Sequence, residues 1–255
     1  MSRQTRFVVF ALGAAGLGAL MAWAFSGLPE FGHYAGRYGR IVAQLAVPAR
    51  ATTNAVTFTN FDLRAVDTMV EEFIVFAAAI AAVALLRHQR GEPKRAASPD
   101  DVLKPKTSPA LLVVGAALAG PTTVIALNLI AHGAITPGGG FQGGVVLAAT
   151  LVVLVAAGAR VRLPADKPPL LAEITHGLGA AGFVLLGLAG LVFAGAFLST
   201  TWAGHGTPAT LLSGGAIPLL NVATGLEVAG AIAVILGEFL EQDMLATDET
   251  EERDA

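Results

Sequence analysis

The chain has 255 residues, of which 54% are hydrophobic and 14% charged, and its mean hydropathy is +0.66. Soluble domains run at about 45–50% apolar and about 25% charged, so this balance excludes an ordinary water-soluble domain. The absence of cysteine excludes disulfides, thiolate metal centres and cysteine nucleophiles, and the net charge of -3 comes without the basic face that nucleic-acid binding needs.

Six apolar runs are long enough to be read as transmembrane helices, which predicts an all-α integral membrane protein. The first, Phe7–Phe25, is long for a signal peptide, and Ser26-Gly27-Leu28-Pro29 is a poor cleavage site, so it is expected to stay as a span. In the Pro29–Val66 stretch that follows, Ile41–Phe61 is moderately apolar but broken by Thr and Asn. It is expected to be an amphipathic helix or re-entrant segment at the outer surface. The second span is Met69–Leu86, and the charged, Pro- and Ser-rich segment Arg87–Ser108 is the clearest linker. The third span, Leu111–Ala131, leads into Thr136-Pro137-Gly138-Gly139-Gly140-Phe141-Gln142-Gly143-Gly144. Proline lacks an amide donor and glycine gives up much backbone freedom on ordering, so this stretch is expected to be a shaped turn for close packing or for lining a polar path. The fourth span, Val145–Ala159, is the shortest and is expected to begin inside the glycine segment, near Phe141. The fifth, Ile174–Leu198, and the sixth, Ile217–Leu240, flank a loop without lysine or arginine, and the acidic tail from Glu241 to Ala255 is expected to be solvated and frayed. This order divides the chain into a two-span segment (1–90), a linker (91–108), a four-span block (109–241) and the tail (242–255).

Cytoplasmic loops are enriched in Lys and Arg. With both termini in the cytoplasm, only Arg37, Arg40, Arg50 and Arg64 of the 16 basic residues fall outside. The glycine segment then faces the outer side.

Charged side chains inside a bilayer cost about 2.5–3.5 kcal/mol each on insertion scales and usually face protein or water, so intramembrane acids and histidines are the candidates for function. Glu227, near the middle of the last span and without a lysine or arginine nearby in sequence, is the sharpest: a proton relay, a cation ligand, or a packed hydrogen-bonding group. Asp67 and Glu71 share a helix face at the start of the second span, where acids also serve to cap a helix; Glu72 adds a third acid and is the weaker candidate. Glu173 and His176, spaced i, i+3, can face each other at the inner start of the fifth span. His132, one turn after Asn128, lies beside the glycine segment and is a candidate relay entrance. No phosphate-binding Gly-Lys-Ser/Thr follows the glycines, no His-Glu-x-x-His is present, and no cofactor or metal is expected.

Two regions resemble one family. The run from His132 through Gly144, with its Pro-Gly-Gly-Gly-Phe-Gln-Gly-Gly core, is similar to the signature of the B subunit of multisubunit Mrp/Mnh-type cation:proton antiporters, found also in subunits of membrane-bound hydrogenases. Ile217–Val228 resembles the last span of that domain and puts Glu227 on the family pattern. Asn54-Ala55-Val56 and then Asp62, Arg64, Asp67, Thr68 and Glu71 resemble the end of the large A subunit, with Val70 in place of a common glycine and with the extra acid Glu72. The resemblance implies a non-enzymatic accessory subunit in the cell membrane, working beside other membrane subunits in a complex that moves Na+ and H+. Asp67, Glu71, His132, Glu173, His176 and Glu227 are then the candidate ion or proton path, and Pro137–Gly144 a structural loop. The equivalent subunit of a redox-driven ion pump and a purely structural scaffold are the alternatives. No lysine lies inside a span, which argues against this chain being the antiporter-like channel itself.

Overall fold

A computed structural model describes residues 3–28, 36–86, 108–158 and 170–253, and these are helices and their connections without a strand. The linker expected at Arg87–Ser108 lies, apart from Ser108, outside the described residues. In chain order the helices are α1 (Arg3–Ser26), α2 (Arg37–Arg50), α3 (Ala55–Phe58), a π-helical turn (Thr59–Leu63), α4 (Ala65–Leu86), α5 (Pro109–Ala131), α6 (Gly140–Ala156), α7 (Leu170–Ala194), a 3-10 turn (Thr201–Ala203) and α8 (Ile217–Arg253). Five of them are long and apolar enough to cross a bilayer, and α6, at 17 residues, sits at the lower limit. The chain is an all-α, multi-pass membrane protein.

Residues Met1–Arg40 and Ile41–Ala255 form two units. The first carries α1, whose apolar side chains are exposed along its length, as expected of a helix solvated by lipid. In the second, α8 is the central post: α4, α5, α6 and α7 all pack on it, and 56% of its span is buried against 11–22% for α4, α5 and α7. The main core gathers Phe61, Phe183, Leu198, Ile217, Leu220 and Ala223 around the upper part of this post, and a smaller one joins Val42 and Ala46 of α2 to Phe58 of α3.

Several boundaries differ from those read in the sequence, each for a local reason. The helix of the second span starts at Ala65, so Asp67 and Thr68 lie in its first turn instead of capping it; Asp67 pairs with Arg64, and the Thr68 hydroxyl donates to Asn60 O at 2.7 Å. The helix α7 ends at Ala194 because Gly195 takes a left-handed φ of 75°, and the chain folds back so that Leu198 N donates to Gly187 O at 3.1 Å. At the C-terminal end α8 continues as helix to Arg253, through most of the tail expected to be frayed. The glycine segment is not all turn: Gly140 to Gly144 are the first residues of α6.

Candidate functional site

The arrangement of α4 explains how an acid reaches the interior. Its buried residues are Ala65, Thr68, Glu72 and Ala79, spaced three, four and seven apart, while Val66, Val70, Phe73 and Ile74 point outward. In a bilayer the bulky apolar side chains face lipid, and the small or polar stripe is the one that packs against protein. Glu72 is therefore carried against α8 and is 3% exposed. On α8, Glu227 is fully buried on the face that α7 approaches, where Gly179 lets the helices close: a Cβ there would lie 2.6 Å from Glu227 Cα.

The Glu72 carboxyl interacts electrostatically with Glu227 and lies beside Thr224 and Glu71. No hydrogen bond of ordinary geometry joins these groups: all four carboxyl oxygens of the pair and Thr224 Oγ1 are buried and unpartnered. A buried carboxyl group without a partner is costly, and a second one beside it adds repulsion when both are charged. Among the described residues no lysine, arginine or histidine lines the space around Glu72, so no basic residue there supplies the missing compensation.

That space is a cavity of about 150 Å³ bounded by Thr57, Asn60, Phe61, Thr68, Glu71 and Glu72 on one side. Gly138, Gly139, Gly140, Phe141, Gln142, Asn221 and Thr224 bound it on the other. Two buried asparagines hold the surrounding segments, Asn221 on the cavity lining and Asn54 behind it. Asn221 Oδ1 accepts from Gly140 N at 2.7 Å and its Nδ2 donates to Ile217 O at 3.0 Å, so a side chain from α8 caps α6, whose own N-cap, Gly139, has none to offer. Gly139 holds a φ of 141°, a region only glycine enters without strain, and at Gly140 a Cβ would collide with Asn221 O. Asn54 caps α3 with Oδ1 and donates through Nδ2 to Gly133 O and Thr136 O, both at 2.8 Å. The Thr52 hydroxyl donates to Ala134 O, and Thr53 N donates to the same oxygen at 3.2 Å. Residues 52–54 thereby tie the loop 133–136 in place.

Comparisons with known proteins now bear on this geometry. Residues 110–234 match the family model described as a domain related to the MnhB subunit of Na+/H+ antiporter. The matched stretch is 125 of the chain's 255 residues. An uncharacterised protein of Methanocaldococcus jannaschii is 38% identical over 126 residues, which are 46% of this chain and 47% of that protein, so the chain matches about half the length of this curated relative. A chain in the structure of the membrane-bound sulfane sulfur reductase, an archaeal respiratory membrane complex, is 26% identical with a TM-score of 0.68; the match covers 92% of this chain and 98% of that one. A chain of the Mrp complex from Dietzia sp. DQ12-45-1b shares the fold with a TM-score of 0.62 at 23% identity, covering 93% of this chain and 26% of that one.

The stretch matched by the MnhB-related model holds the glycine loop, Asn221, Thr224 and Glu227, whereas Asn54, Thr57 and Glu72 come from the segment before it. The cavity and the acid pair thus lie on the seam between the two. Of the residues singled out from the sequence, Glu227 is inside the seam, and Glu71 lines the cavity but is otherwise exposed. Asp67 is on the exposed face, engaged with Arg64. His132 ends α5, with Nδ1 3.1 Å from Asn128 O, and does not line the cavity. Glu173 and His176 do not turn toward one another: Glu173 is exposed, while His176 is buried, its ring 4.6 Å from that of Phe76 and its Nε2 without a partner. His176 sits beside Gly230 of α8, one turn below Glu227. Of Pro137–Gly144, Gly138 to Gln142 line the cavity, and Gly143 and Gly144 lie where Cβ atoms would crowd Ala126 O and Gly225 O, both at 2.8 Å.

Sequence reasoning gave Glu72 too little weight and gave Asn54, Thr57 and Asn221 no role. The spacing of small residues along α4 is the signal that separates Glu72 from Glu71. The asparagines carried a weaker signal, as amide side chains flanking segments that need capping.

Proposed function

We propose that the chain is a non-enzymatic accessory subunit of a multisubunit cation (Na+):proton antiporter in the cell membrane, and that Glu72 and Glu227 form one step of its proton or sodium path. The supporting observation is the pair itself: two buried carboxyl groups without a hydrogen-bond partner of ordinary geometry, with no lysine, arginine or histidine among the described residues that line the cavity beside Glu72. A site of that kind needs a proton or a cation for neutrality, and a change in one acid is felt by the other. The charge bias of the loops favours an outward-facing cavity, with Glu71 on its lining, Asp67 on the exposed face of the same helix start, His132 at the end of α5, and His176 and Glu173 further toward the cytoplasm. Partner membrane subunits carry the rest of the path.

The test is antiport in everted vesicles with Glu72→Gln, Glu227→Gln and Glu71→Gln, with assembly checked by co-purification. Both Gln variants of the buried pair are expected to assemble and to lose most antiport, with Glu71→Gln milder. Assembly with normal transport by the pair variants across the pH range sinks the relay and leaves a structural scaffold.

The likeness to a chain of a respiratory complex over nearly its whole length favours a second host, a redox-driven ion pump. Partners bearing iron–sulfur clusters in the purified native complex would decide for it.

A further inference from the structure

Glu72 stands between two surroundings of different chemistry. On one side is the carboxyl of Glu227, in the packed seam of α4, α7 and α8. On the other is the cavity, and its walls present oxygen. An ideal Cβ built on Gly139 would lie 3.0 Å from Asn221 Oδ1, 3.1 Å from Gln142 Oε1 and 3.8 Å from Thr57 Oγ1, so oxygens from α8, α6 and α3 converge on a point that only glycine leaves open. The hydrogen bond from Asn221 Nδ2 to Ile217 O fixes which end of that amide faces the cavity. The first amide of α6 is taken up by Asn221 Oδ1 and is not aimed into the space. Thr224 and Glu72 line the same volume, and Thr224 Oγ1 and the Glu72 oxygens make no hydrogen bond of ordinary geometry, although the Glu72 carboxyl is within reach of Glu227 and Thr224.

We infer that this cavity binds a partly hydrated monovalent alkali cation, with Glu72 as the anionic ligand and Asn221, Gln142, Thr57 and Thr224 as neutral oxygen ligands. The inference rests on the relay proposed for Glu72 and Glu227 and assigns each side of Glu72 a separate ion. When the Glu72 proton moves to the Glu227 carboxylate, Glu72 becomes free to hold the cation; when the cation leaves, the proton can return. The charged groups facing Glu72 are Glu227 from α8 and Glu71 from its own helix, both acids, so neutrality at Glu72 is met by a proton or a cation and not by a fixed base. A divalent ion asks for several carboxylates. No group of three or more His, Cys, Asp or Glu suited to a metal occurs among the described residues. Non-helical backbone at membrane depth is tolerated where it lines a cavity, and interrupted helices are a recurring way to build alkali-ion sites in transporters. Here the loop before α6 and the π-helical turn before α4 both border the space. Its volume equals that of roughly five waters at about 30 Å³ each, enough for an ion with part of its hydration shell.

The experiment is ²²Na+ binding to the native complex purified with this chain, measured per mole of chain from pH 6 to pH 9. Two near-isosteric variants, Thr224→Val and Gln142→Leu, are expected to weaken binding about tenfold each without changing assembly. Glu72→Gln is expected to abolish one site, and Glu227→Gln to keep the site while losing antiport. Unchanged binding in assembled Thr224→Val and Gln142→Leu complexes overturns the cation site; loss of antiport in the Gln variants of the acid pair would then still stand for the relay. The reverse pattern, weakened binding with antiport untouched by those Gln variants, keeps the site and removes the relay beneath it. Reduced binding by K+ at equal concentration would broaden the ligand to alkali cations in general and supports the assignment.

Discussion

Replacing Asn221 by alanine removes the acceptor that closes the N-terminus of α6. The Gly140 amide is buried and its partner is Asn221 Oδ1 at 2.7 Å, so the variant leaves a donor without a bond in the protein interior. Such an orphan costs about 1–3 kcal/mol. The lost bond to Ile217 O adds less, because that carbonyl stays in the first turn of α8. Gly133 packs directly on the Asn221 carboxamide, with Oδ1 2.5 Å from where its Cβ would be, so alanine also opens a void that the loop cannot fill. We take about 2–3 kcal/mol in all. At about 2–4 °C per kcal/mol for a chain of this size, thermal unfolding should fall by roughly 5–10 °C. The assay is thermal stability of the purified complex in detergent, read by size exclusion after heating. If Asn221→Ala melts within about 1 °C of wild type, the cap from α8 to α6 does not hold the loop and the account of the cavity wall is wrong.

Three further outcomes follow from the packing. Gly179→Ala should prevent α7 from closing on α8, since its Cβ would sit 2.6 Å from Glu227 Cα, while Gly182→Ala on the same helix, with Ala223 Cβ at 3.6 Å, should be tolerated; folded yield after solubilisation separates the two, and equal yields would contradict the close approach. Arg50→Met should cost about 3 kcal/mol by stranding Asp62, whose side chain is 10% exposed and, among the described residues, keeps the Thr200 hydroxyl as its close partner. Adding Asp62→Leu should recover part of that loss, and a double-mutant cycle with no coupling would count against the ion pair. His176→Leu should leave thermal stability unchanged or slightly raised, because Nε2 has no bond to lose; a drop of several degrees would mean the ring is held by more than Phe76.

The legible parts of the fold were those set by the solvent. Long apolar runs mark spans whatever they pack against, since backbone groups in lipid must bond within a helix. The same rule made an acid at position 227 conspicuous, and the run from Pro137 to Gly144 was distinctive as composition. What was not legible depends on rotation and contact. Glu71 and Glu72 are neighbours in sequence and about 100° apart around α4, so hydropathy does not tell which one meets α8. The stripe Ala65, Thr68, Glu72 and Ala79 does, once the helix is set against a partner. Glycines that read as a turn became the first turn of α6 because Asn221 supplies the missing cap and the absent side chains allow α8 to come close. Glu173 and His176 had helical spacing for a pair, yet the face that packs on α8 takes only His176. The sequence by itself determined that this chain crosses a membrane as helices with acids and a glycine segment inside, because burial in lipid is decided by composition. The tertiary structure alone decided that Glu72 and Glu227 share one seam beside an oxygen-lined cavity, because helix rotation and cross-helix capping are properties of contacts between segments up to about 170 residues apart in the chain.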